Sequence, residues 1–338
     1  MLYPIRFTPI LKERIWGGKN LLANAKQGKA KKIDADTPYG ESWELSAVKG
    51  DESVVANGFL KRNNIEEIIE VYMGNLIGDK VYEKYGLTFP LLIKSLDCHD
   101  VLSVQVHPDD ELAAERHNSY GKTEMWYIVD AEPGAFIYIG FNRKDITREE
   151  YIAAINEGRL PELLNKVEVK PGDTFFIPAG TIHALGKGVV VLEIQQTSDV
   201  TYRVYDWERV DDNGNPRELH TALAVDAIDF ASDKDKCIMQ YKAEKNTSTQ
   251  MVKCDYFTTN IVELEGQAER ELESIDSFVL YICAEGEADV CMGENVEHIG
   301  AFDLVMIPAE ADSVKLSGNA KLLEVYIEKE ITYIPIKK

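Results

Sequence analysis

Gly172-Asp173-Thr174-Phe175-Phe176-Ile177-Pro178-Ala179 has an echo 130 residues later in Phe302-Asp303-Leu304-Val305-Met306-Ile307-Pro308-Ala309, with Asp, Pro and Ala in the same register. Upstream of each block lies a second matching pair. Trp126-Tyr127-Ile128-Val129 precedes Glu132-Pro133-Gly134, and Leu280-Tyr281-Ile282-Cys283 precedes Glu285-Gly286. Two copies of one supersecondary unit are the simplest account. Around the first copy, Val101–Val106, Ala135–Ile139, Val189–Ile194 and Thr201–Tyr205 are short β-rich runs separated by Gly, Pro and Asp. Short strands without intervening helices indicate a sandwich or barrel rather than a doubly wound sheet.

The expectation is therefore a mainly β chain of two jelly-roll β-barrel units with a small helical insertion in the first part. The join falls in the polar stretch from Ser232 to Thr249, which divides the chain into residues 1–235 and 236–338. Helical elements are expected near 64–86 and 145–166. Asn64 with Glu67 spells a capping box before Ile65, Ile68, Ile69 and Tyr72. Thr147 with Glu150 spells a second before Tyr151-Ile152-Ala153-Ala154-Ile155, which breaks at Gly158.

Of the 338 residues, 45% are hydrophobic and 28% charged, as in an ordinary globular chain. The 58 Asp and Glu against 37 Lys and Arg give a formal charge of -21. Nucleic acid and anionic membrane are excluded as partners of the surface as a whole. A small anion in a local basic pocket is not. The five cysteines are scattered without a Cys-x-x-Cys pair, against a disulfide framework or a thiolate metal site. Met1 to Arg6 carries no secretion signal, and apolar runs such as Val189–Leu192 are far short of the roughly 20 residues that cross a bilayer. A cytoplasmic protein is expected.

Four segments carry candidate chemistry. In Leu102-Ser103-Val104-Gln105-Val106-His107-Pro108, strand alternation puts Ser103, Gln105 and His107 on one face. The same rule pairs Lys122 with Glu124 in Gly121-Lys122-Thr123-Glu124-Met125-Trp126. The turn Pro178-Ala179-Gly180-Thr181-Ile182-His183 delivers a histidine at the start of a strand, and Thr201 to Tyr205 offers Arg203 on a strand face. Two imidazoles, a carboxylate and an amide oxygen suit a borderline divalent ion such as Zn²⁺, whereas three or more carboxylates would suit Mg²⁺ or Ca²⁺. A lone histidine in a strand is more often an ordinary hydrogen-bonding residue, which is the reading for His99, His117, His220 and His298. The repeat separates His183 from these. Aligning the copies puts Phe278 and Ser313 at the positions of Glu124 and His183, so the candidate ligands vanish together in the second unit, as in a degenerate copy.

Gln105-Val106-His107-Pro108, Lys122-Thr123-Glu124-Met125, Pro178-Ala179-Gly180-Thr181-Ile182-His183 and Tyr202-Arg203-Val204-Tyr205-Asp206-Trp207 together resemble the cupin-type mannose-6-phosphate isomerases in their short bacterial form. Ile15-Trp16-Gly17-Gly18 and Gly40-Glu41-Ser42-Trp43-Glu44-Leu45-Ser46 are also similar to that family. The resemblance implies two cupin units, the first catalytic and the second degenerate. It implies one Zn²⁺ per chain held by Gln105, His107, Glu124 and His183, with Arg203 catalytic. It places Lys94, Ser103 and Lys122 in the sugar-phosphate pocket and makes Glu193 an acidic site residue. The implied reaction interconverts mannose 6-phosphate and fructose 6-phosphate through an enediolate. The proton carrier is open among hydroxide on the ion, Glu193 and Lys122. A cupin oxygenase using Fe²⁺ and a non-catalytic sugar-phosphate sensor are the rival readings; the amide ligand weakens the first and the intact ligand set the second. Oligomeric state is not encoded in any motif, and a monomer is compatible with all of them.

Overall fold

The repeated block forms equivalent strands, Thr174–Ile177 and Leu304–Ile307, in the computed structural model of the chain, which describes residues 1–328 other than 20, 32, 35, 211–213 and 233. Residue 233 of the expected join and residues 329–338 lie outside the described residues. Each strand is entered through a left-handed residue, Gly172 at φ +90° and Phe302 at φ +67°. The same backbone bonds close each turn. Gly172 N–H donates to Ile128 O and Ile128 N–H to Asp173 O, just as Phe302 N–H donates to Cys283 O and Cys283 N–H to Asp303 O.

The first copy contributes to two sheets. One runs Ile238–Met239, Thr174–Ile177, Glu124–Ala131, Val189–Gln196, Leu91–Cys98, Ile10–Gly18, Tyr39–Leu45. The other runs Tyr202–Tyr205, Val104–Val106, His183–Leu185, Phe136–Phe141, Leu164–Glu168. Both are open paths, and their inner faces share one core in which Trp126, Phe175 and Val191 meet Ile137, Ile139 and Leu185. Alternation decides which side chains go there: Trp126, Glu193 and Lys94 lie in register across three adjacent strands, with Glu124 two residues before Trp126 on the same face, and their neighbours Met125, Leu192 and Ile93 pack on the opposite face.

That opposite face meets the second copy. Its six strands, with Ser313–Tyr326 between Thr258–Glu271 and Val279–Met292, place Leu280, Ile282, Leu323 and Val325 in the same cluster as Met125 and Ile194. The helices Ile65–Tyr72, Gly74–Ile77 and Asp79–Tyr85 add Ile65, Ile68, Ile69, Leu76, Ile77 and Val81 to this cluster. The first of them has the full capping box expected of Asn64 and Glu67. At the second expected box only half forms: Thr147 accepts from Glu150 N–H, while the Glu150 carboxylate turns to Arg143. The helix Asp110–His117 has no counterpart in the periodicity, because Ala113 is its one buried residue and the Asp109 cap sets its start.

Register corrects the alignment of the copies. Ile177 pairs with Glu124 and Ile307 with Val279, so Val279, not Phe278, is the counterpart of Glu124. A slip of one residue reverses the face. Phe278 and Leu280 therefore pack toward the first unit, and Val279 and Tyr281 line the interior of the second. That interior is not wholly apolar. Glu324 stands opposite Tyr281 as Glu193 stands opposite Trp126. Its buried carboxylate accepts from Arg270, from the Tyr281 hydroxyl and from Asn260. Burial opposes the charge, but Arg270 outweighs it and keeps the Glu324 carboxyl below its ordinary value. Arg270→Met is expected to destabilise the protein by about 3 kcal/mol, the low end for breaking a buried pair because neutral donors remain. Urea unfolding would measure it, and adding Glu324→Gln should restore most of the loss. An additive double mutant would show that the pair is uncoupled.

Candidate active site

Strand Val104–Val106 pairs on one side with His183–Leu185 and on the other with Tyr202–Tyr205, putting Gln105 directly opposite both His183 and Arg203. Residues directly opposite share a face. His107 follows just past the strand end and Glu124 is the first residue of strand Glu124–Ala131 in the other sheet, so His107, Glu124 and His183 converge, and Gln105 is tied to them by its register opposite His183. Among the described residues, His107, Glu124 and His183 are the group of His, Cys, Asp and Glu able to hold a metal ion; their ligand atoms lie within 4.8 Å of one another, and all three are buried.

The tautomers suit that role. His107 Nδ1 lies 3.0 Å from Val200 O and His183 Nδ1 2.8 Å from Thr181 O. A carbonyl only accepts, so each Nδ1 carries the proton and each Nε2 presents a lone pair. His183 Nε2 lies 3.3 Å and His107 Nε2 3.6 Å from the Glu124 carboxylate. Glu124 Oε1 and His183 Nε2 are buried with no hydrogen-bond donor, and the other Glu124 oxygen faces Lys122. Two acceptors facing each other without a donor are costly unless a cation lies between them. Burial pushes the Glu124 carboxyl up to about 7 against the pull of Lys122, and pushes His183 down to about 4 and His107 well below its ordinary value. The imidazoles are thus neutral near pH 7, the form that binds metal.

Lys122 Nζ sits 3.1 Å from Glu124 and 3.0 Å from His107 Nε2. Lys94 Nζ is 2.9 Å from Glu193, whose other oxygen accepts from Trp126 Nε1 at 2.9 Å. Burial alone would raise the Glu193 carboxyl, but Lys94 and Lys122 dominate and hold it ionised. Arg203 donates to Glu218 O at 2.8 Å, and its Nε is buried without a partner. Ser103 is buried beside the strand that carries Gln105. His117, His220 and His298 make ordinary hydrogen bonds, to the Tyr202 hydroxyl, Arg203 N–H and Asp289.

Several neighbours carry no role in the sequence reading. Glu41 accepts from Trp43 Nε1 and Arg14 and faces Lys94; alternation along Gly40 to Ser46 is the signal that places it inward. Arg209 and Arg217 both bind Asp206 beside Arg203. Asp110 accepts from Gly121 N–H, Gln196 Nε2 and the Tyr256 hydroxyl of the second unit. Gln196 in turn accepts from Thr123 N–H. A Cβ at Gly121 would stand 2.6 Å from Asp110 N, so the backbone carrying Lys122 and Glu124 is clamped where only glycine fits.

Comparisons with known proteins agree with this geometry. The phosphomannose isomerase type I catalytic domain matches residues 5–134, and the mannose-6-phosphate isomerase cupin domain residues 247–327. The chain is 38% identical over 332 residues to mannose-6-phosphate isomerase ManA of Bacillus subtilis, covering 95% of this chain and 98% of that one. It is 32% identical over 326 residues to the mannose-6-phosphate isomerase of Streptococcus mutans, covering 96% and 98%. The crystal structure of the Bacillus subtilis mannose 6-phosphate isomerase matches with a TM-score of 0.85 at 34% identity, over 96% of this chain and 100% of that one. A phosphomannose isomerase variant from Salmonella typhimurium shares the fold at 17% identity and a TM-score of 0.78. With near full-length relatives at this level of identity, the chain belongs to the type I phosphomannose isomerase family.

Proposed function

We propose that this chain interconverts mannose 6-phosphate and fructose 6-phosphate in the cytoplasm, with one Zn²⁺ held by Gln105, His107, Glu124 and His183. The observation that carries the metal reading is the buried convergence of His107, Glu124 and His183, with Glu124 Oε1 and His183 Nε2 facing each other without a donor. The borderline nitrogen and oxygen donor set suits zinc. A bound ion supplies Lewis-acid stabilisation of charge on the substrate oxygens.

The rest falls to side chains. Moving a proton between C2 and C1 builds negative charge on the adjacent oxygens, and Arg203, with an unpartnered Nε, is the fixed cation nearest in register to the ligand strand. Both oxygens of Glu193 are taken by Lys94 and Trp126. An ionised, doubly occupied carboxylate is a poor base, so Glu193 positions Lys94 and the indole. Lys122 remains the side-chain candidate for moving the proton. Were His107 to hold the ion through Nε2, the Lys122 ammonium now 3.0 Å from that nitrogen would be free to turn to the substrate. Lys94, Ser103, Lys122 and Arg203 are the proposed contacts to the sugar phosphate, in a catalytic unit of residues 1–235 covered by a degenerate unit of residues 236–338. No helix among the described residues is long and apolar enough to cross a membrane, and the cysteines are free.

Elemental analysis with a coupled assay on mannose 6-phosphate, before and after chelation, tests this reading. One zinc per chain and turnover lost on chelation and regained with Zn²⁺ are expected. Full activity in metal-free protein would end the metal assignment; no turnover by zinc-loaded protein would end the isomerase assignment.

A further inference from the structure

In a chain of charge -21, residues 26 to 32 hold four lysines in seven positions. Three of them, Lys26, Lys29 and Lys31, line a cavity of about 540 Å³ between the N-terminal arm, the Val54–Val55 strand with its following turn, and the second unit. Arg6, Lys61 and Arg62 line it too, against the carboxylates of Glu44, Glu297 and Asp303. Cations outnumber acids two to one.

The pairing is graded with depth. Lys26, 1% exposed, is held by Glu44 at 2.8 Å and by Phe302 O. Lys29 binds both oxygens of Asp303 at 2.8 Å, and Arg6 reaches the same carboxylate at 3.3 Å. Asp303 thus serves three cations, since Lys26 also lies 4.0 Å away. At the mouth, Lys31, Lys61 and Arg62 make no ion pair among the described residues. Arg62 is held at φ +83°, in a turn fixed by Arg62 N–H to Val55 O and Val55 N–H to Asn63 O. A merely structural charge cluster would balance itself, and this one leaves three cations around a space of small-molecule size.

This cavity is not the catalytic pocket. Glu44 belongs to strand Tyr39–Leu45, whose Glu41 binds Arg14 and Trp43 and whose Trp43 ring lies 5.5 Å from Lys94 Nζ. Glu44 points the other way, to Lys26 and the Ser95 hydroxyl. The two sites therefore stand back to back across one sheet. We propose that this cleft binds a small dianionic phosphorylated molecule, bridging the N-terminal arm and the second unit. A cleft of this volume suits a small molecule, and the excess positive charge at its mouth matches a phosphate dianion held by point charges.

Calorimetric titration of the full metal-loaded chain with inorganic phosphate, in an Arg203→Ala background that weakens the catalytic pocket, tests the proposal. Saturable uptake of one phosphate per chain is expected. Lys31→Ala, Lys61→Ala and Arg62→Ala together should weaken it about tenfold or more. Lys31→Arg with Lys61→Arg should keep it. Unchanged affinity in the triple alanine variant, equal loss in the arginine control, or no uptake once Arg203 is removed would each overturn the site. Mannose 6-phosphate in the same background separates the sources: tighter binding than phosphate supports a phosphorylated metabolite as occupant, and equal binding supports free phosphate.

Discussion

Glu124→Gln and His183→Ala are each expected to lose metal and isomerase turnover together. The first replaces an anionic carboxylate by a neutral amide and the second removes an imidazole, in a group whose ligand atoms lie within 4.8 Å of one another. Loss of an outer hydrogen-bond partner costs roughly 10–100-fold in metal affinity, so loss of a ligand should cost more than about 100-fold. The histidine variant guards against the introduced amide of the first variant serving as a weak oxygen donor. Metal content per chain and kcat, measured on the same sample, are the readouts. A variant that keeps one ion per chain and full turnover would remove the site from the reaction.

The same site sets a pH dependence with a defined sign. Metal uptake requires an ionised Glu124, and the metal-free carboxyl is raised to about 7, so the proton competes with the ion as pH falls through that value. The histidines do not compete there, because burial keeps them neutral, His183 down to about 4. Competition titrations against a chelator should show affinity falling from about pH 8 to about pH 6. In His183→Ala the residual dependence should persist, since Glu124 remains. A dependence centred near the histidine values would instead assign the titration to the imidazoles.

The group of His107, Glu124 and His183 was legible because each member sits in a short local pattern. Alternation sends Gln105 and His107 to one side, Lys122 reaches Glu124 two residues on, and the Pro-Ala-Gly turn delivers His183 to the first position of its strand. Asn64 and Glu67 were legible for the same reason. What escaped depends on distance in sequence. The one-residue slip between Phe278 and Val279 comes from matching Tyr127 to Tyr281 by type, whereas strand pairing sets Glu124 against Ile177 and Val279 against Ile307, and similarity between aromatic runs carries no register. The clamp of Asp110 on Gly121, Gln196 and Tyr256 joins segments up to 146 residues apart. The pocket's charge was legible only in part. Lys94, Lys122 and Arg203 with a metal suggested a basic cluster, but Glu41, Glu124 and Glu193 oppose the two lysines. On that balance a bound divalent ion would be what makes the pocket positive toward a phosphate ester.

Arg203→Ala is expected to lower kcat about 10²–10³-fold, the cost of removing one donor aimed at developing negative charge, while metal content stays at one per chain. The fold should tolerate the change. In the structure the guanidinium makes one hydrogen bond, to the Glu218 carbonyl, and its Nε has no partner, so little native bonding is lost. Its position opposite Gln105 puts it beside the proposed ligand strand without a contact to Glu124 or His183, which is why metal and turnover should separate here and not in the Glu124 variant. Steady-state kinetics distinguish the ways the proposal can fail. A fall in kcat with KM little changed places Arg203 on the transition state; a rise in KM alone makes it a uniform binder of the sugar phosphate. Arg203→Lys sharpens the comparison, because lysine keeps the charge and loses the planar fork. Recovery of kcat by lysine would mean that charge suffices. Equal loss in both variants would mean that the oriented guanidinium, with its free Nε–H, is what the reaction needs.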